Sequence, residues 1–199
     1  LFSTGMAINT DIESAINAAR AVDKDIRIAL LQCTSLYPAP VHLSNLRAIQ
    51  TLQHTFGLPT GYSDHTMGEH ICLAAVALGA CILEKHFTLS RTQPGPDHPF
   101  AMEPAELRQL VSHVRDIEMA AGNGRKTGPA PEEAEMFEKG RRSLHVRESV
   151  TAGSRITAGN LRAKRPGYGI SPAFYDNVVG MRTTRDIPAD HWVTWEDFK

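Results

Sequence analysis

One pattern in the first 121 residues constrains the fold more than any other feature. Four times, a short apolar segment is followed by a polar loop and then by a stretch of helical period. Such alternation implies parallel strands joined by right-handed crossovers, because each helix carries the chain back across the sheet. The opening Leu1-Phe2-Ser3-Thr4-Gly5 reads as the end of a buried strand, and the spacing Thr10-x-x-Glu13 is that of a capping box. The helix it introduces places Ile12, Ala15, Ile16, Ala19 and Val22 on one face. Residues 26–33 show no polar helical face, which suits a strand covered on both sides. Leu46, Ile49, Leu52 and Phe56 mark a second helix closed by Gly57. Residues 60–62 and 81–86 read as the third and fourth strands, with a helix over 69–78 between them. Pro104 is tolerated in the first turn of a last helix, and Gly122 ends it. Its apolar face is Leu107, Leu110, Val111, Val114, Ile117 and Ala121.

Four strand–helix units are half of an eightfold barrel, which typically takes about 250 residues. A small doubly wound sheet is the alternative, but no glycine-rich phosphate loop of the GxGxxG kind is present. Polar clusters also follow all four strands in the same way, as barrel active-site loops do. Residues 122–142 carry Gly122, Gly124, Gly128, Pro129 and Pro131, then a charged run, and read as a linker with one short helix. From Ser143 onward, short strands are expected at 143–146, 162–164 and 193–195, between turns, with Trp192 and Trp195 packing the core. The expected organisation is an α/β unit over 1–121, a linker over 122–142 and a small β-rich domain over 143–199.

Lys and Arg number 21 against 22 Asp and Glu, a net charge of −1, so no strong field favours nucleic acid or an anionic membrane. No apolar run reaches the roughly 18 residues of a transmembrane helix, and no secretory leader is visible. Cys33, Cys72 and Cys81 lie in apolar contexts without CxxC spacing, which predicts buried, reduced thiols and a cytoplasmic protein. The chain begins inside a strand without Met, so further sequence is expected upstream.

His65 and His86 each follow a strand, and parallel strands bring their C-terminal ends to one rim. Two neutral imidazoles there would suit a divalent metal such as Mn²⁺ or Zn²⁺, acting as a Lewis acid on a carbonyl. Spacing alone is met more often by hydrogen-bonded structural histidines. Asp97, in Gly95-Pro96-Asp97-His98, is a substrate-binding carboxylate or a turn residue. Ser3, Thr4, Ser35 and Ser63 are strand-end hydroxyls, able to hold a phosphate or carboxylate or to cap the local backbone. Arg165, beside the Pro166-Gly167 turn, is either a partner for an acid or amide carbonyl or a solvated charge.

Read in order, several strings resemble the sialic acid (N-acetylneuraminate) synthase family. They are Ser3-Thr4-Gly5-Met6, Gln32-Cys33-Thr34-Ser35 with Tyr37-Pro38, Gly61-Tyr62-Ser63-Asp64-His65-Thr66 and Glu84-Lys85-His86-Phe87-Thr88. Gly95-Pro96-Asp97-His98, Glu103-Pro104, Arg141-Arg142-Ser143, Lys164-Arg165-Pro166-Gly167 and Gly169-Ile170-Ser171-Pro172 follow. The resemblance covers nearly the whole chain. It implies strands 5–8 of a TIM barrel followed by an antifreeze-like (SAF) domain. It also implies condensation of phosphoenolpyruvate with N-acetylmannosamine or a related N-acetylated hexose, giving a nonulosonic acid and phosphate. By resemblance, His65 and His86 are catalytic and hold a divalent metal, Mn²⁺ first, with Mg²⁺ or Co²⁺ as alternatives. Ser3, Ser35 and Ser63 match phosphoenolpyruvate contacts, although Ser35 is Asn in some relatives. Tyr37 and Asp97 match sugar-binding residues, and Phe137 more weakly a lining residue. Arg165 matches an arginine offered to the neighbouring subunit, which implies a domain-swapped homodimer.

The family's first four strands, a catalytic glutamate, phosphate-binding lysines and a KxGSxE motif have no counterpart in these residues. A partial chain with little or no turnover alone is therefore expected. Legionaminic, pseudaminic and spore-coat polysaccharide synthases are alternatives within the family. A non-catalytic sugar-binding or dimerisation module is the alternative outside it.

Overall fold

The structure, a computed structural model, describes residues 1–199 and divides into two compact units, Leu1–Arg125 and Lys126–Lys199. In the first, β1 (Phe2–Ser3), β2 (Leu30–Cys33), β3 (Thr60–Asp64) and β4 (Leu83–Lys85) form a sheet in the order β1-β2-β3-β4. Every pairing is parallel. The order never reverses, so the sheet lacks the switch point of a doubly wound fold. Between and after the strands come α1 (Asn9–Val22), α2 (Ala48–Phe56), α3 (His70–Ala77) and α4 (Pro104–Ala121).

The helices pack on one face of this sheet. Ile12 and Ile16 of α1 and Leu52 of α2 meet Ile28 and Leu30. Ile49 of α2 and Ala75 of α3 enclose Tyr62, and Cys72, Met102 and Leu110 join α3 to α4. The pleat sends alternate residues to the other face. By register, that face carries Ser3, Leu31, Cys33, Gly61, Ser63 and Glu84. Gly61 fits there only because it has no side chain: a Cβ would lie 2.3 Å from the Ile82 carbonyl oxygen and 2.7 Å from Leu31 Cδ2. Gly61→Ala is therefore expected to cost about 3 kcal/mol, the upper range for overpacking a core against backbone. A thermal melt would show it.

Element ends depart from the sequence expectations for local reasons. The N-cap of α1 is Ile8, whose N–H donates to the Asp11 carboxylate at 3.0 Å, so Thr10 lies inside the helix rather than capping it. The expected strand at 26–33 pairs only over Leu30–Cys33, the four residues that face Thr60–Ser63 of β3. Gly57 closes α2 in the left-handed conformation, at φ 62°. The cysteines are unpaired, and only Cys72 is buried; Cys33 is half-buried and Cys81 is exposed. Cys81 precedes β4, where its thiol donates to the Thr60 carbonyl at 3.3 Å.

The second unit contains α5 (Ala134–Gly140), β5 (Ser143–Val146), β6 (Leu161–Lys164) and α6 (Tyr175–Val178). β5 and β6 pair antiparallel. No third strand forms at 193–195: residue 192 makes a single bridge to His145, and Trp195–Asp197 is a short 3-10 turn. Leu144, Val146, Ile156, Leu161, Val178, Ile187, Val193 and Phe198 are among the residues that build the core. The tryptophans do not. Val193 points inward, so its neighbour Trp192 stacks on His191, while Trp195 packs edge-on against Phe174 and is half exposed.

Two titrating groups tie this unit to pH. Burial alone would raise the Asp197 carboxyl, but the Thr194 N–H, the Arg185 guanidinium and the Thr194 hydroxyl outweigh it and hold the group below its ordinary value. Burial holds the His145 imidazole below its ordinary value, with the Lys164 and Arg162 charges adding to the effect. Both folded values lie below the unfolded ones, so each contribution is complete above the unfolded value and is lost as pH falls through the folded one. The unit is expected to lose stability in two steps, the first below about 6.5 from His145 and the second below about 3.9 from Asp197. Asp197→Asn should remove the lower step and His145→Phe the upper one in pH-dependent melts.

Candidate functional site

The C-terminal ends of β3 and β4 place His65 and His86 on the face opposite the helices, two residues beyond Ser63 and Glu84 respectively. Their ring centroids lie 5.2 Å apart, nearly edge to face. His65 is buried, and its Nδ1 sits 2.7 Å from the Thr34 carbonyl. A carbonyl only accepts, so Nδ1 carries the proton and the ring's lone pair is on Nε2. Orientation of an imidazole by a backbone carbonyl is the usual support for a metal-binding histidine. Backbone bonds fix both loops: the Ala39 N–H donates to His65 O, and the Met102 N–H donates to His86 O.

Tyr37 covers the pair, its ring 4.2 Å from His65 and 5.7 Å from His86 between centroids. Phe100 completes the aromatic wall, 4.9 Å from His86 and 5.9 Å from Tyr37. An Asp97 carboxylate oxygen is 3.7 Å from His86 Nδ1, and most of that side chain remains open to solvent. Beneath the imidazoles, the buried Ser63 hydroxyl donates to Glu84 Oε1 at 2.7 Å. Ser63, Glu84, Lys85 and His86 line an open cavity of about 240 Å³. Cys33 adjoins Ser63 and Ser35; burial raises its thiol, so it stands there as a neutral group and not as a thiolate nucleophile.

Of the residues singled out from sequence, His65, His86, Tyr37 and Asp97 thus converge, with Ser63 one step down the sheet. Ser3 ends β1 on the same face, paired with Leu31. Ser35 follows β2 beside Gly5, where a Cβ would come within 2.3 Å of the Ser35 hydroxyl. Arg165 and Phe137 belong to the second unit. Arg165 is exposed, beside an open cleft of about 650 Å³ that it lines with Arg142, Arg162, Ala163 and Lys164. Phe137 lies under the Arg141 guanidinium at 4.7 Å.

Two members of the cluster were not singled out. Glu84 was within reach of sequence reasoning, since period-two alternation puts it on the face of His86. Phe100 was not, because no periodicity connects the loop after β4 to the rim.

The donor set is chemically suited to a divalent ion. Two imidazoles beside a carboxylate match Mn²⁺ or Co²⁺ better than Mg²⁺, which favours an all-oxygen shell. No three His, Cys, Asp or Glu side chains cluster closely enough to enclose an ion by themselves. A metal here would therefore keep positions open for substrate or water.

Comparison with known proteins identifies the family. Residues 1–126 match the NeuB family and residues 141–199 the SAF domain. The N,N′-diacetyllegionaminic acid synthase of Campylobacter jejuni is 43% identical over 97% of this chain and 58% of its own length. That of Legionella pneumophila is 39% identical over 98% and 56%. The crystal structure of N-acetylneuraminic acid synthetase from Leptospira borgpetersenii superposes with a TM-score of 0.61 and 41% identity, over 68% of this chain and 47% of that one. The chain thus spans a little over half the length of these two synthases. No helix is long and apolar enough to cross a membrane. On its family match and these identities, the chain belongs to the NeuB family and carries a SAF domain after its α/β unit.

Proposed function

We propose that this chain provides the metal and sugar side of a nonulosonic acid synthase site, and that its unreversed parallel sheet is an arc of a TIM barrel. The observation that carries the reading is the His65–His86 pair, with one ring aimed by the Thr34 carbonyl and both rings roofed by Tyr37. The reaction class joins C3 of phosphoenolpyruvate to a sugar aldehyde carbon, adds water at C2 and releases phosphate by C–O cleavage. His65 and His86 would hold the divalent ion, which supplies Lewis-acid polarisation of the aldehyde when bound.

The other roles belong to the chain's own groups. Tyr37 and Phe100 exclude water above the rings, and Asp97 accepts from sugar hydroxyls at the open edge. Ser63, aimed by Glu84, faces the phosphoenolpyruvate side with Ser3 and Ser35. Arg165 takes the N-acetyl oxygen of the sugar. A domain-swapped homodimer, each copy offering its arginine to the other's site, is part of this proposal, as is a cytoplasmic location.

A second reading of the sugar has equal support, because the two relatives are named for N,N′-diacetyllegionaminic acid and the solved structure for N-acetylneuraminic acid. The test is phosphate release from phosphoenolpyruvate with Mn²⁺ and either N-acetylmannosamine or a diacetylated hexose. Release matched by nonulosonic acid supports the synthase, and the preferred sugar decides between the readings. Sugar binding that neither Mn²⁺ nor the His65→Ala and His86→Ala substitutions alter would favour a non-catalytic binding module instead.

A further inference from the structure

The turn that carries Arg165 is held from beneath by a buried hydroxyl of β5. The Ser143 hydroxyl donates to the Pro166 carbonyl at 2.6 Å. His145 gives its Nδ1 proton to the Asp190 carbonyl at 2.9 Å; its Nε2, then without a proton, packs 3.2 Å from Ser143 Oγ and 3.4 Å from the Pro166 carbonyl and donates to neither. Ser143 and His145 are both essentially inaccessible. The far side of the turn is fixed as well: the Gly167 N–H donates to Glu138 O at 2.9 Å, and a Cβ on Gly167 would lie 2.8 Å from Arg141 Cβ. Burying a hydroxyl and an imidazole is costly unless both are hydrogen-bonded, and apolar residues would fill β5 as well. What the Ser143 hydroxyl adds is a fixed direction for the backbone leaving β6.

The cleft's charges point the same way. Asp190 pairs with Arg162 and with Lys164, whose Nζ is 2.6 Å from Oδ2. The two cations preceding Arg165 on alternate positions of β6 are thereby occupied, while the Arg165 guanidinium projects from a turn pinned on both sides.

We propose that Ser143 is a positioning residue for Arg165, fixing the turn from which its guanidinium reaches the sugar. The inference rests on the reading of Arg165 as a sugar-binding residue. Its test separates the two claims by combining a structural measurement with a binding one.

The structural measurement is amide hydrogen exchange at Gly167 and ¹⁵N relaxation of the Arg165 side-chain Nε–H in the full chain. Ser143→Ala is expected to speed Gly167 exchange by about tenfold, the typical scale of one lost buried hydrogen bond, and to loosen Arg165. Ser143→Thr should keep the native values. Ser143→Val, with the shape of Thr and no hydroxyl, should behave like Ala, which controls for packing should the Ala variant fail to fold. Unchanged Gly167 and Arg165 signals in both Ala and Val variants would overturn the inference.

The binding measurement compares sugar and phosphoenolpyruvate affinities by titration calorimetry with Mn²⁺ present, which needs no turnover. Ser143→Ala should weaken sugar binding by about five- to tenfold and leave phosphoenolpyruvate binding in place, and adding it to Arg165→Ala should have no further effect. Additive effects in the double variant would show that Ser143 acts by another route and would overturn it. If Arg165→Ala leaves the sugar affinity unchanged, the sugar-binding reading of Arg165 fails, and the positioning role fails with it, even where the exchange data show the turn released.

Discussion

Replacing either His65 or His86 with alanine is expected to weaken Mn²⁺ binding by more than about 100-fold, above the 10- to 100-fold usual for losing a residue that merely supports a ligand. The expectation follows from the shape of the site. Each imidazole supplies one nitrogen, no third His, Cys, Asp or Glu stands close enough to compensate, and the Phe100 ring carries no donor atom. Paramagnetic broadening by Mn²⁺ makes the measurement specific. The ring protons of His65 and His86 should broaden first, while His42 and His54, in other parts of the same unit, serve as internal controls. Asp97→Asn should have a smaller effect, because its carboxylate lies 3.7 Å from His86 Nδ1 and is largely solvated. Uniform broadening of all nine histidines would mean that the pair holds no preferred ion.

The histidine pair also shows how far reasoning from sequence reached. Parallel strands deliver consecutive C-terminal ends to one rim, so two histidines placed just after such strands must be neighbours. That deduction needs only the strand–helix alternation. What alternation does not give is how much of an apolar run is paired. Residues 26–29 are as apolar as residues 30–33, yet only the latter have ladder partners, all four in β3 and the first two also in β1. Burial pattern reports the surroundings of a side chain, whereas strand ends depend on the length of the neighbouring strand. The second unit was harder for the same reason. Its order depends on isolated bridges such as Val150 to Ile187 and Thr183 to Phe198, which join segments remote in sequence and leave no period to read. Phe100 reaches the rim through a loop, and the Ser143–Pro166 contact depends on the register of β5 with β6, so neither had a local signal.

Asp64 and Lys85 stand next to His65 and His86 in sequence but face the opposite way, and their substitution should produce the largest loss of stability in the α/β unit. Lys85 Nζ lies 2.7 Å from Asp64 Oδ2, with the two side chains 5% and 0% exposed. The same ammonium donates to Thr66 O at 2.6 Å, and the other carboxylate oxygen accepts the Thr66 N–H at 2.8 Å. Cys72 of α3 donates its thiol proton to Asp64 Oδ2 at 3.1 Å; burial, then the Asp64 charge, keeps that thiol protonated. The pair therefore ties the loop carrying His65 to both β4 and α3.

Lys85→Met would leave a buried carboxylate without its counter-charge. Removing one partner of such a pair costs about 3–5 kcal/mol, whereas replacing both with apolar groups of similar size is often neutral. Lys85→Met and Asp64→Leu are each expected to lower the unfolding midpoint strongly, and the double variant to recover most of the loss. The recovered stability should not bring back native metal binding, because the Thr66 hydrogen bonds that fix the backbone after His65 are absent from the double variant. Denaturant titration combined with Mn²⁺ broadening separates the two effects. Recovery of both together would show that the ion pair supports only the fold; recovery of stability alone would show that its geometry also sets the direction of His65.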